Sequence, residues 1–215
     1  MSARDEVLAR IRDALGPDRA PGPEVPRDYR VAAGERTGPP AAPTADVLDL
    51  LVDRLEDYKA AVVRVRPDGV AAAVHAAVAE HGLRRVGAPA GLPEEWLAEL
   101  TGFEVRHDEP HLALEELAEL DGVVTACRLA IATTGTVVLD ADERQGRRAL
   151  SLVPDWHLCV VQADQVVEGV PDAIARLDPA RPLTFVSGPS ATSDIELERV
   201  EGVHGPRTLV VLLVD

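Results

Sequence analysis

The run WHLCVVQA (156–163) and its counterpart TLVVLLVD (208–215) hold apolar residues at consecutive positions, with little alternation. A strand with one wet face alternates apolar and polar residues; a strand covered on both faces does not. Outward from these two runs, helical and strand-like segments take turns. Leu48, Leu51, Leu55 and Tyr58 share one face of a helix that Thr44 is placed to cap. AAVVRVR (60–66) reads as a strand. GVAAAVHAAVAEHG (69–82) reads as a helix with Val70, Val74 and Val78 aligned, closed by Gly82. RRVGAP (84–89) is a short strand and LPEEWLAEL (92–100) a helix with Pro93 in its first turn. FEVRH (103–107) is strand-like, HLALEELAEL (111–120) helical, and DGVVTACRLAIATTGTVVLD (121–140) two strand-like runs around a turn. VPDAIARL (170–177) is a short helix, and LTFVSG (183–188) joins 208–215 in finishing the sheet. The pattern predicts an α/β fold: a three-layer, Rossmann-like, mainly parallel sheet with helices on both faces. Ligands in such sheets sit beyond the carboxyl ends of strands. Chemistry is therefore expected after 121–126, after 135–139 and after 183–188.

Composition narrows the function classes. Apolar residues make up 46% of the 215 but aromatics only 3%, so the core is built from Ala, Val, Leu and Ile. The net charge of −15 repels nucleic acid and anionic membranes, because phosphate contacts need a positive face. No apolar run reaches 18 residues, so no membrane span is expected. Two cysteines, Cys127 and Cys159, lack ligand-like spacing, which predicts neither a zinc nor an iron–sulfur site and fits a reducing cytoplasm.

MSARDEVLARIRDALG (1–16) forms an amphipathic helix with Val7 or Leu8, Ile11 and Leu15 on one side and Gly16-Pro17 at its end. The Pro- and Gly-rich stretch up to residue 43 reads as an extended tether. The expected organisation is an N-terminal helical arm and tether over 1–43, then one α/β domain over 44–215. The helix is either a packing arm or a contact for a partner or second subunit.

Three stretches could carry chemistry. The densest is SGPSATSDIELERVEGVHGPRTL (187–209). Ser187, Gly188 and Pro189 turn the chain after a strand; Ser190, Thr192, Ser193 and Asp194 follow. Ser193 and Glu196 have capping-box spacing, so a short helical turn starting there would offer hydroxyls and amides to an anion. His204 lies between Gly202 and Gly205, where a fixed imidazole suits an acid, a base or a donor. Arg207 is either an anion clamp or a solvated charge. The same stretch also reads as an elaborate, well-capped turn. In AIATTGTVVLD (130–140), Thr134, Gly135 and Thr136 make a hydroxyl-rich turn that either presents donors to a ligand or simply reverses the chain. In DERQGRRALSLVPDWH (142–157), Arg144, Arg147 and Arg148 concentrate positive charge, as an anion patch or as a loop with local acid–base pairs. Trp156-His157 reads as the edge of the core, and the two cysteines as buried and inert.

The stretch SGPSATSDIELERVEGVHGPRTLVVLLVD, with AIATTGTVVLD and LSLVPDWHLCVV upstream in that order, resembles the signature of the LUD-domain (lactate utilisation) family. The likeness covers roughly residues 44–215. It implies a fold akin to the sugar-phosphate isomerase and coenzyme A transferase superfamily. It also implies an accessory role in oxidising L-lactate to pyruvate beside two partner proteins rich in cysteine and iron–sulfur motifs. This chain lacks those cysteines, so the clusters are expected in the partners and none in this subunit. A binding protein or enzyme for a small carboxylate or phosphate metabolite is the alternative. The family often has Glu where this chain has Thr133, which weighs against a catalytic role centred on 130–136.

Overall fold

The computed structural model describes residues 3–16, 43–192, 200–201 and 205–215. The N-terminal helix α1 (Ala3–Leu15) ends at Gly16, which adopts a left-handed φ of 71°. It buries none of its residues, and Val7, Ile11 and Leu15 are each about half exposed.

Helix α2 (Ala45–Asp57) buries Leu48, Leu51 and Leu55, as their spacing requires. Thr44 stands at its N-cap, where the backbone carbonyl accepts from the amides of Val47 and Leu48; the hydroxyl makes no cap bond. Tyr58 is the C-cap and is half exposed.

Six parallel strands form the main sheet in the order β1 (Ala61–Val65), β12 (Thr208–Val214), β7 (Trp156–Gln162), β4 (Gly122–Ala126), β2 (Arg85–Ala88) and β3 (Glu104–His107). The two apolar runs are the central neighbours β7 and β12, paired from Thr208 against Trp156 to Val214 against Gln162. Leu158, Val160, Val210 and Leu212 face helix α3 (Val70–Glu80) and its Val70, Val74 and Val78. Cys159, Val161, Val211 and Leu213 face α2. Both faces are covered, so neither strand alternates. Burying one such aliphatic side chain stabilises the fold by about 1.5–3 kcal/mol.

A second sheet shares the α2 face. Its order is β8 (Val166–Val167), β5 (Leu129–Ile131), β6 (Thr136–Leu139) and β9 (Thr184–Val186), with β6 antiparallel to both neighbours. One side packs through Ala130, Val137 and Leu139 against the α2 core. The other packs through Leu129, Ile131 and Val138 against Ala173 of α6 (Val170–Arg176). Two expectations are corrected here. Residues 121–140 hold three strands, of which only β4 joins the main sheet. Residues 184–186 lie in the second sheet, where a short half-buried strand fits an edge. A third correction concerns 92–100. The amides of Trp96, Leu97 and Leu100 bond to carbonyls three residues back, giving a 3-10 turn at Glu94–Trp96 in place of an α-helix. The helix expected over 111–120 is confined to α4 (Leu114–Ala118).

Candidate functional site

The loop after β9 is fixed by one close approach. Gly188 has a φ of 80°, and a Cβ there would lie 2.6 Å from the carbonyl oxygen of Tyr58. Gly135 has a φ of 55°, and a Cβ there would lie 2.7 Å from the carbonyl oxygen of Arg54. Only glycine tolerates both constraints. The two turns therefore press against the last turn of α2 and meet each other. A string of hydroxyls results: Thr134 Oγ1 lies 2.7 Å from Thr136 Oγ1, which lies 2.7 Å from Ser187 Oγ. Two of the three sequence stretches are thus joined. Thr133 points outward from the 3-10 turn Ala132–Thr134, its amide donating to the carbonyl of Glu168.

Beyond Gly188 the Ser190 amide donates to the Pro206 carbonyl at 2.8 Å, closing the base of the 187–209 stretch. Above it β10 (Ala191–Thr192) pairs antiparallel with β11 (Val200–Glu201). Thr192 is placed on this ribbon. Asp194, His204 and the Ser193–Glu196 spacing lie outside the described residues.

Ser187, Gly188, Ser190 and Gly205 line one cavity of about 280 Å³. Its inner wall is His157 and Leu209, from the amino ends of β7 and β12. Helix α5 (Arg148–Leu152) supplies Arg148 and Ser151. Thr134, Gly135 and Thr136 reach the cavity only through Ser187. Arg207 does not line it: the guanidinium grips Asp155, with Nε 2.8 and 2.9 Å from the two carboxylate oxygens. That bond holds the Asp155 carboxyl below its ordinary value. The position is instructive. The loop does follow a strand's carboxyl end, but β9 belongs to the second sheet, so the site falls at the amino ends of the main sheet's central strands.

The electrostatics of this cavity run against the rest of the chain. No described lining residue is an Asp or Glu, although the chain carries 37 of them against 22 bases. Arg148 is exposed at the rim and forms no ion pair with a described residue. His157 is 2% exposed, and its Nε2 lies 2.8 Å from the hydroxyl of buried Thr125 on β4. No described residue hydrogen-bonds the other ring nitrogen, Nδ1. Burial lowers the imidazole to about 4, so the ring is neutral near pH 7. Spacing did not mark His157, which reads as core edge; the signal was a polar ring inside an otherwise apolar strand.

A second cavity, of about 480 Å³, opens at the opposite end of the same strands, beside Ala126, Gln162 and Val214. Here three of the polar side chains, Gln165, Asp215 and Arg144, have work in the fold. Gln165 donates from Nε2 to the Cys127 carbonyl and accepts at Oε1 from the Gln162 amide. Asp215 is paired with Arg64, and Arg144 lies 3.5 Å from Asp142. The three arginines of 142–148 thus part company. Arg144 turns to this end, Arg148 to the other, and Arg147 between them bonds buried Asp108 at 2.8 and 3.0 Å. Burial alone would raise the Asp108 carboxyl; the bonds from Arg147 and the Leu112 amide outweigh it and hold the group below its ordinary value. Cys127 and Cys159 are both buried, and contact with Cys159 together with burial pushes the Cys127 thiol up.

The LUD domain model matches residues 48–214. The chain belongs to the LUD-domain family. Lactate utilization protein C of Deinococcus radiodurans is 45% identical over 216 residues, covering 99% of this chain and 95% of that protein. Proteins of the same name from Bacillus pumilus and Bacillus subtilis are 34% and 29% identical over 115 and 145 residues, spanning 47% and 58% of their lengths. A solved DUF162 family protein from Deinococcus radiodurans superposes with a TM-score of 0.68 at 40% identity, over 82% of this chain and all of that one. The LUD fold therefore holds both cavities, since the matched span contains both ends of the main sheet. Among the described residues no helix is long and apolar enough to cross a membrane.

Proposed function

We propose that this LUD-domain chain is a non-redox component of a cytoplasmic lactate-utilisation system, organised as an N-terminal arm over 1–43 and a domain over 44–215. It would hold a small anion at the cavity around Ser187, Gly188, Ser190 and Gly205. The observation that carries the reading is the near full-length likeness to the Deinococcus radiodurans lactate utilization protein C. That no described lining residue is an acid supports the anion, because an arginine without competing carboxylates recognises carboxylate or phosphate. Electron transfer would fall to partner proteins carrying iron–sulfur clusters. A cubane cluster takes four thiolates, and this chain has two cysteines, both committed to the core.

Reconstitution tests the reading. The purified partners should oxidise L-lactate faster with this chain than without it, and the three should co-purify. Full lactate oxidation by the partners alone sinks the proposal. The alternative, a binder or enzyme acting on a phosphorylated metabolite, is favoured by the hydroxyl string at Ser187. A thermal-shift panel of lactate, pyruvate, sugar phosphates and coenzyme A separates the two. A specific ligand at 100 times its Kd adds about 2.7 kcal/mol of stability.

A further inference from the structure

Helix α1 (Ala3–Leu15) buries none of its 13 residues, and Val7, Ile11 and Leu15 are each about half exposed. A lone helix of this length is marginal in water, so its stability comes from whatever covers its apolar stripe. The stripe has a heptad rhythm. Arg4, Leu8, Ile11 and Leu15 follow one another at spacings of four, three and four, the seam spacing of two paired helices. The two flanks of that seam differ. On one stand Asp5 and Arg12, seven apart and opposite in charge; on the other stand Val7 and Ala14, both apolar and both exposed.

Pairing direction decides what these flanks meet. In an antiparallel pair each flank meets its own counterpart. Asp5 then faces Arg12 of a second copy, Arg12 faces Asp5, and Val7 faces Ala14. The seam closes with Leu8 on Ile11 twice and Arg4 beside Leu15 at each end. The acidic first turn of one helix, Asp5 and Glu6, also lies by the last turn of the other, which carries Arg12, and the two macrodipoles oppose. A parallel pair sets the charged flank against the apolar one and loses these matches. Net charge also favours a copy of this chain as the occupant. Arg4, Arg10 and Arg12 balance Asp5, Glu6 and Asp13, so α1 is neutral in a chain of net charge −15. The bulk of the chain repels its own copy, and α1 does not. The same neutrality removes the basic face by which an amphipathic helix holds an anionic membrane.

We infer that α1 is a self-association element: it pairs antiparallel with α1 of a second copy through Leu8 and Ile11, in a register set by the Asp5 and Arg12 charge pairs. The inference is independent of the anion cavity. Two helices about 20 Å long bury less than the roughly 1,200–2,000 Å² of a standard interface, so the dimer is reversible and concentration-dependent.

Sedimentation equilibrium of the full chain over a wide concentration range tests this. The mass should rise from that of one chain toward that of two. Leu8→Glu or Ile11→Glu places a carboxylate in the seam and should weaken self-association by about tenfold or more. Both variants should keep the melting temperature of the α/β domain, because α1 buries none of its residues. Asp5→Arg and Arg12→Glu should each weaken association by about fivefold at low salt. Mixed together, these two variants should pair at close to wild-type strength. Opposite charges face each other again in the mixture while each helix is unchanged, so a mere loss of helix cannot give the recovery. A single-chain mass at every concentration, a dimer that both seam variants leave intact, or a mixture that associates no better than its components overturns the inference. Seam variants that keep the dimer but no longer co-purify with the lactate-utilisation partners overturn it in favour of a partner on the same stripe.

Discussion

The two cavities sit at opposite ends of the same central strands and differ in how their polar groups are used. At the carboxyl end Gln165 caps a turn, Asp215 answers Arg64, and Arg144 has Asp142 at hand. At the amino end Arg148 and the Nδ1 of His157 have no described partner, and no described acid lines the wall. The larger cavity is at the end where parallel sheets usually bind ligands. The smaller one has a guanidinium and a buried ring nitrogen without described partners. Volume and topology mark a place where a ligand fits; unsatisfied, pre-oriented polar groups mark what it would be. The difference arises because the second sheet carries the loop after β9 back to the start of β7 and β12.

The link between the two ends is the segment 142–148, pinned by Arg147 on Asp108. Replacing Asp108 by Ala should cost the most. It removes a buried carboxylate that takes two guanidinium bonds and the Leu112 amide, and leaves Arg147 without its counter-ion. A loss of about 3–5 kcal/mol is expected by urea unfolding, with both cavities disturbed. A loss under 1 kcal/mol would mean that the ends are not coupled through this pair.

Gly188→Ala comes next and should touch only the amino-end cavity. The left-handed φ and the contact with the Tyr58 backbone together cost about 3 kcal/mol, and ligand binding should fall with stability. Normal binding in a folded variant would remove the loop from the site.

The pH dependence isolates His157. Its folded value is about 4, against 6.5 for the free side chain. Between those values the unfolded chain takes up a proton that the folded one refuses. Stability therefore falls as pH drops from 6.5 to 4, by at most about 3 kcal/mol, and is insensitive to this group above 6.5. The carboxylates held low, Asp108 and Asp155 among them, contribute mainly below that window. The stability advantage of wild type over His157→Gln should narrow across pH 6.5–4 in matched denaturant melts. A constant difference would show that the ring is not buried neutral.

The smallest effects belong to the carboxyl end. Gln165→Ala should cost about 1–2 kcal/mol by freeing the Gln162 amide and the Cys127 carbonyl, without altering acid binding at the other end. Arg144→Gln should change stability by less than about 0.5 kcal/mol, since its pairing is half exposed. Lost lactate or pyruvate binding in either variant would move the functional site to the larger cavity.

The reach of the sequence differs element by element. Local rules decided α2, α3, β7 and β12: heptad-like Leu and Val spacings and unbroken apolar runs describe what each segment buries. The hydroxyls of Thr134, Thr136 and Ser187 and the turn glycines Gly135 and Gly188 stood out by type. Two misreadings had local causes as well. The residues 92–100 satisfy a helical pattern while their bonds follow a tighter turn, and LTFVSG has too few residues to declare which sheet it joins. His157 reads from the sequence as core edge because one imidazole beside a tryptophan is an ordinary feature; only the Thr125 contact and an Nδ1 without a described partner distinguish it. Arg207 reads from the sequence as an anion clamp or a solvated charge, and the guanidinium is turned to Asp155, 52 residues away in the chain.

By itself the sequence determined the fold class, the family signature and the residue types available for an anion, because periodicity and composition are local properties that folding preserves. Tertiary structure alone decided which of Arg144, Arg147 and Arg148 has no ion pair among the described residues, which histidine stands at a cavity wall, and at which end of the sheet they meet. Those outcomes depend on contacts between residues far apart in the chain, Asp108 with Arg147, Thr125 with His157 and Tyr58 with Gly188, whose partners no local pattern names.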